Sequence, residues 1–231
     1  MRIKTNRDPA SQSGHSKNIH RVLLVDDHEL LRDGVIEMLA NKTNLEVCGE
    51  ADSESDAMAL VGETHPHLAI VDISLKQGDG ISLTKRIKAL DESIRVIVYS
   101  TYDEDLYGER ALRAGASGYV NKQAPAAELT EAIGMVLGGS VYLSPKMASR
   151  LVTATQTGVQ PGVLATDTLS DRELEVFRLI GNGLMNAQIA DQLHISPRTV
   201  ETYRERLKLK LDVQTSAELN RRAVQWVLQG E

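Results

Sequence analysis

Asp72 closes the apolar run Leu68-Ala69-Ile70-Val71 with a carboxylate, and the earlier run Val22-Leu23-Leu24-Val25 ends the same way, in Asp26-Asp27. A third run, Val96-Ile97-Val98-Tyr99, ends in Ser100, and a fourth, Gly118-Tyr119-Val120, is followed by Asn121-Lys122. Each run is short enough to be a strand buried on both faces. In an open parallel sheet the carboxyl ends of the strands share one edge, and ligands gather there. Three acids, a hydroxyl and an amine would then meet. Three converging carboxylates repel one another. A bound Mg2+ relieves them, because it takes oxygen ligands and keeps several waters. Asp72 then becomes a carboxylate nucleophile toward a phosphoryl group. Lys122 and the cation neutralise charge spreading over the transferred oxygens, and Ser100 donates a hydrogen bond to the same group. The competing reading has each acid merely capping a neighbouring helix. Five such residues at the ends of four runs favour the site.

The elements that must position these residues alternate along the chain. Leu30, Leu31, Val35, Met38 and Leu39 follow Asp27 at helical spacing, and residues 45–48 read as a short strand. Ser53 is a fair N-cap for a helix beginning at Glu54. A loop holding Gly78 and Gly80 follows Asp72, then a helix through Leu90. Residues 104–114 form a further helix stopped by Gly115. Pro125 opens the last helix of the unit and Gly138-Gly139 closes it. Five strands alternating with five helices predict an α/β, doubly wound parallel sheet over residues 21–140.

Bulk composition bounds the rest. A chain of 231 residues, 42% hydrophobic and 25% charged, suits two modest globular domains. No apolar stretch approaches the roughly 20 residues of a membrane helix, so no membrane partner is expected. Residues 1–20 are polar, lack the apolar core of a secretory signal and read as a disordered tail, which predicts a cytoplasmic protein. Cys48, the lone cysteine, excludes an internal disulfide and any zinc site built on several cysteines; it reads as a small buried apolar residue. The net charge of −6 is unevenly placed: from Thr168 onward nine basic residues balance nine acidic ones, so the acidity belongs to the first part.

After residue 140 the pattern changes. Residues 141–168 read as a linker with a short helix after Ser144-Pro145, rich in threonine, glycine and proline from residue 153. Residues 169–231 read as a small all-α domain. Ser170 and Glu173 form a capping box, and a short helix over residues 187–193 turns Ile189, Ala190 and Leu193 inward. Ser196 caps a helix with Pro197 at its first position. That helix buries Val200, Tyr203, Leu207 and Leu211, so at about 100° per residue its other face presents Arg198, Glu201, Thr202, Glu205, Arg206 and Leu209. Two short helices joined by a tight turn, the second exposing arginines, make a helix-turn-helix.

The set Asp26, Asp27, Asp72, Ser100 and Lys122, with Tyr119, resembles the receiver domain of two-component response regulators over about residues 20–140. The resemblance implies the strand order 2-1-3-4-5 and a phosphoryl group accepted by Asp72 from a phosphohistidine on a sensor histidine kinase. It further implies Mg2+ held directly by Asp27 and Asp72, by Asp26 mostly through water, and by the Ser74 backbone carbonyl. Ser100 and Tyr119 match the family's switch positions: Ser100 moves toward the phosphoryl group and Tyr119 swings inward.

The stretch Leu169-Ser170-Asp171-Arg172-Glu173-Leu174-Glu175-Val176, then Ile189-Ala190, then residues 196–204 resembles the LuxR/NarL-type DNA-binding domain. That implies a helix after Ser196 entering the major groove of double-stranded DNA, and a last helix over residues 216–228 making homodimer contacts. Arg198 and Arg206 become candidates for guanine or phosphate, and Thr199 and Lys210 for phosphate. Thr202 shares the groove face. Glu201 and Glu205 either accept from a cytosine amine or pair with neighbouring arginines and lysines along the helix; both readings stand. Asp212 occupies a position where that family has glycine, and aspartate tolerates the left-handed backbone such a position requires.

The chain is thus expected to be a response regulator transcription factor in which phosphorylation of Asp72 switches dimerisation and DNA binding. One alternative is a phosphorylation-controlled module whose C-terminal domain binds a protein instead of DNA. A phosphohydrolase would want an acid two positions after the nucleophile, and Ser74 stands there, so no enzyme is expected.

Overall fold

Strand β1 (His20–Val25) alternates its side chains across the sheet: Val22 and Leu24 face one core cluster, Leu23 and Val25 the other. Both clusters are apolar, which is why the run is continuously hydrophobic. β2 (Leu45–Ala51), β3 (Leu68–Val71), β4 (Arg95–Ser100) and β5 (Gly118–Asn121) pair with it, all parallel, in the order β2-β1-β3-β4-β5. The order implied by the receiver resemblance is the observed one. β2 runs beyond the expected residues 45–48, and its register with β1 shifts between Val22 and Leu23, leaving Cys48 unpaired.

The structure is a computed structural model that describes residues 19–149, 152, 168–193 and 195–229. The chain divides into two units, Met1–Thr153 and Ala154–Glu231. Residues 1–18 of the expected tail and 150, 151 and 153–167 of the expected linker lie outside the described residues. His20, assigned to that tail, instead belongs to β1.

Helices α1 (Glu29–Ala40) and α5 (Ala126–Leu137) supply Leu39, Leu129, Ala132, Ile133 and Val136 to the Val22/Leu24 cluster. Helices α2 (Glu54–Thr64) and α3 (Gly80–Leu90) supply Ala57, Leu60, Val61, Leu83 and Ile87 to the opposite one. Ser53 caps α2 by accepting from the Asp56 backbone N–H at 3.3 Å. Helix α4 (Glu104–Arg113) ends before Gly115, whose φ of +97° favours glycine. Pro125 is the N-cap of α5, one residue outside the helix it was expected to open. The apolar stripe expected along α1 is only partly realised, since Leu30 and Leu31 are exposed. Residues 145–149 are helical, in keeping with the short helix expected there.

The second unit contains α6 (Asp171–Gly181), α7 (Asn186–Gln192), α8 (Pro197–Lys210) and α9 (Ser216–Gln229). Both halves of the Ser170–Glu173 capping box are formed. Val200, Leu207 and Leu211 are buried as expected, and Tyr203 is half-buried. Phe177 and Trp226 meet at 5.6 Å between ring centroids, tying α6 to α9. Asp212 has φ +51°, the left-handed conformation implied by its standing where the LuxR/NarL-type family has glycine.

Candidate functional site

The carboxyl ends of β1, β3, β4 and β5 carry the residues singled out from sequence, and the fold brings them together. Asp72 and Asp26 are buried, and Ser100 is wholly inaccessible. Lys122 Nζ lies 2.7 Å from Asp72 Oδ2 and 2.6 Å from Asp26 Oδ2, bridging two carboxylates. Its side chain is only 3% exposed, so the ammonium faces the carboxylates and not water. Carboxylate oxygens of Asp26, Asp27 and Asp72 and a ring nitrogen of His28 lie within 4.8 Å of one another. Asp72 Oδ1 is buried with no hydrogen-bond partner. A buried, unpaired carboxylate oxygen is costly, and a cation that takes oxygen ligands would satisfy it. The residues present therefore fit a divalent cation.

Charge at this site is incompletely balanced, with three carboxylates facing one ammonium. Burial pushes the Asp72 carboxyl above its ordinary value; Lys122 and the Ser100 hydroxyl oppose that, while the Asp26 carboxylate adds to it. Burial alone would lower Lys122, but Asp72 and Asp26 outweigh it and hold the ammonium above its ordinary value. The site is short of positive charge.

Backbone geometry holds Asp72 in place. The Asp72 backbone N–H donates to the Val25 carbonyl at 2.8 Å. A Cβ on Gly80 would stand 2.0 Å from the Asp72 carbonyl oxygen, so only glycine lets α3 start so close to the strand end. Asp79 caps α3, accepting from the Ile81 and Ser82 backbone N–H groups at 2.9 Å. Ser74, expected as a backbone ligand, forms an isolated bridge with Asp79 in the intervening loop.

Tyr119 is fully buried, and its hydroxyl donates to the Tyr102 carbonyl at 2.8 Å. The ring expected to swing inward on phosphorylation already lies inside. Asn121 Nδ2 donates to the same carbonyl at 3.1 Å, and the Tyr102 ring meets Tyr107 of α4 edge-on at 4.9 Å. Tyr102 is thus a junction that sequence reading missed, because its carbonyl carries the contact and its side chain gives no signal. His28 was missed too. Its Nδ1 is 2.7 Å from Asp27 Oδ1, and its place next to the acid pair was the available clue. Arg32, one turn into α1, donates to the Asp26 carbonyl.

In the second unit the outward face of α8 is as the periodicity predicted. Arg198, Glu201, Thr202, Glu205, Arg206 and Leu209 are all exposed, Leu209 by 83%. The Ser196 hydroxyl accepts from the Thr199 backbone N–H at 3.1 Å, capping the helix. Arg206 lies over the Tyr203 ring at 5.9 Å. Glu205 pairs with Lys208 at 2.8 Å. Lys210, expected at a phosphate, donates to Glu173 Oε2 at 2.6 Å and to the Thr168 carbonyl at 3.2 Å.

Residues 22–134 match the family model of the response regulator receiver domain, and residues 167–223 match that of bacterial regulatory proteins of the luxR family. Response regulator GacA of Pseudomonas aeruginosa is 35% identical over 199 residues, 86% of this chain and 92% of its own length. The DNA-binding transcriptional activator DevR/DosR of Mycobacterium tuberculosis is 35% identical over 194 residues, covering 84% of this chain and 89% of its own. Among solved structures, RcsB from Salmonella enterica serovar Typhimurium bound to promoter rprA in the presence of phosphomimetic BeF3- matches with a TM-score of 0.55. It is 26% identical and covers 88% of this chain and 98% of its own. The chain belongs to the response regulators that join a receiver domain to a LuxR-type DNA-binding domain, a family of transcription factors. No described helix is long and apolar enough to cross a membrane.

Proposed function

We propose that Asp72 is the phosphoacceptor of this response regulator and that its phosphorylation switches dimerisation and sequence-specific DNA binding by the C-terminal helices. The observation that carries this reading is the buried, unpartnered Asp72 Oδ1 beside two further aspartates and a bridging lysine. A carboxylate oxygen of Asp72 attacks the phosphorus of a phosphohistidine on a sensor histidine kinase. The O–P bond forms as the P–N bond breaks, and the imidazole nitrogen keeps the electron pair. Asp27 and Asp72 would hold Mg2+, with Asp26 through water and Ser74 through its carbonyl. The cation supplies the positive charge that the three carboxylates and the incoming oxygens lack.

Lys122 orients Asp72 and remains to pair with the added phosphoryl charge of roughly −2. The Ser100 hydroxyl, which helps hold the Asp72 carboxyl down, would donate to a phosphoryl oxygen. Its movement would disturb the turn at Tyr102, whose backbone N–H lies 3.5 Å from Ser100 Oγ and whose carbonyl holds Tyr119. Arg198, Thr199, Thr202 and Arg206 would contact DNA from α8, and α9 would pair two copies.

The test is DNA binding by the wild type and Asp72→Asn over a genomic fragment library, each with and without acetyl phosphate and Mg2+. Wild-type affinity should rise with the phosphodonor, and Asp72→Asn should not respond. Identical responses by the two proteins would end the gating proposal and leave the family assignment intact.

A further inference from the structure

The outward face of α8 carries carboxylates where a helix bound to a polyanion would be expected to carry positive charge. Glu201 and Glu205 are exposed one turn apart, between Arg198 and Arg206. Two other cations of the helix are turned to internal partners: Arg204 donates to Asn220 Oδ1 at 2.6 Å, and Lys210 to Glu173 at 2.6 Å. Glu205 has one oxygen on Lys208 and its side chain still 69% exposed. Glu201 has no ion pair among the described residues. Helix-surface pairing therefore accounts for part of Glu205 and none of Glu201.

An ionised carboxylate can only accept hydrogen bonds. In the major groove guanine presents two acceptors, thymine an acceptor and a methyl, and adenine a donor beside an acceptor. Cytosine alone presents a donor with no acceptor on its own edge. A carboxylate on the groove floor is thus repelled, wholly or in part, by three bases and accepted by one. The phosphates repel it in every register, and only a register that supplies that donor offsets the repulsion, which lowers non-specific binding more than specific binding.

Resting on the DNA-binding reading above, we propose that Glu201 and Glu205 make this protein select cytosine at two positions of each half-site. Four residues of helix rise about 6 Å, against about 3.4 Å between stacked bases on one strand. The two cytosines stand about two base pairs apart. Arg198 and Arg206 flank them with the side chain that pairs bidentately with guanine, so the face as a whole favours G·C pairs. Arg206 is partly held for this by the Tyr203 ring beneath it.

The test is selection of binding sites from randomised duplex DNA by the full chain, as wild type, Glu201→Gln and Glu205→Gln, in the presence of acetyl phosphate and Mg2+. Glutamine presents both a donor and an acceptor and pairs with adenine, so each variant makes a directional statement. The wild type should enrich cytosine at two positions about two base pairs apart. Glu201→Gln should convert one of them to adenine while the other stays, with a change in preference of about tenfold or more at that position. Glu205→Gln should convert the other. Both residues are exposed, so matched thermal melts are expected and separate a reading defect from misfolding. Sites that are unchanged in both variants, or whose altered positions held no cytosine, overturn the inference. A wild type that enriches no sequence at all overturns the DNA-binding reading itself, and this inference with it.

Discussion

The acid site at the strand ends and the outward face of α8 use the same kinds of side chain in opposite surroundings. At the strand ends, Asp26, Asp72 and Lys122 are buried against one another, and Asp72 keeps an oxygen with no partner. On α8, Arg198, Glu201, Thr202 and Glu205 stand in water. Burial strengthens every charge interaction and makes an unmet one expensive, which suits a site that must hold a reacting group. Exposure leaves charges cheap to carry in the free protein, and they discriminate only when a partner strips their water. On the proposed reading, the first region uses its charges for phosphoryl transfer and the second for choosing among DNA sequences.

Substitutions in the scaffold of each region should sharpen that contrast. Leu207, fully buried beneath the α8 face, is expected to cost the C-terminal unit about 2–5 kcal/mol when cut to alanine. Thermal unfolding should show this while acetyl phosphate still labels the receiver at the wild-type rate. A matching loss of labelling would mean that the two regions are not separable. Gly80→Ala comes next. Its methyl would press on the Asp72 carbonyl at 2.0 Å, so a destabilisation of about 1–3 kcal/mol together with slower labelling is expected. Unaltered labelling would show that Asp72 does not depend on that close approach.

The smallest effect concerns Glu173, a buried acid of the second unit tied to Lys210 of α8. Burial would raise its carboxyl, but the Lys210 ammonium and the Ser170 backbone N–H outweigh burial and hold it below its ordinary value of 4.5. A folded-state value below the unfolded one means the contact stabilises fully above about pH 4.5 and is lost as the pH falls through the folded value. Glu173→Gln should therefore melt below the wild type at pH 7, with the gap closing as the solution is acidified. A gap that stays constant with pH would show that the Lys210 contact contributes nothing.

Much of both regions was legible in the chain. Strand ends show as breaks in apolar runs, so Asp26, Asp27, Asp72, Ser100 and Lys122 could be placed on one edge before any coordinates. A helix face follows from the 3.6-residue period, and the six residues it placed outward on α8 are all exposed. The left-handed Asp212 was legible only through the resemblance, because it stands where that family has glycine and aspartate is among the few residues that accept that backbone. Periodicity failed at Leu30 and Leu31, whose spacing matched an inward stripe although both are exposed. A period gives the side of a helix but not how far the opposing layer extends.

What the chain alone determined is which residue types occur at which ends and faces, because strand and helix periods are local properties of the backbone. What only the tertiary structure decided is which of them touch. Lys122 and Asp72 are 50 positions apart and meet because β3 and β5 flank β4 in a fixed register. Tyr119 finds the Tyr102 carbonyl across 17 positions and Lys210 the Glu173 carboxylate across 37, while Gly80 closes on the Asp72 carbonyl across a single loop. Contacts of that kind depend on packing between elements, and no local pattern in the sequence encodes them singly.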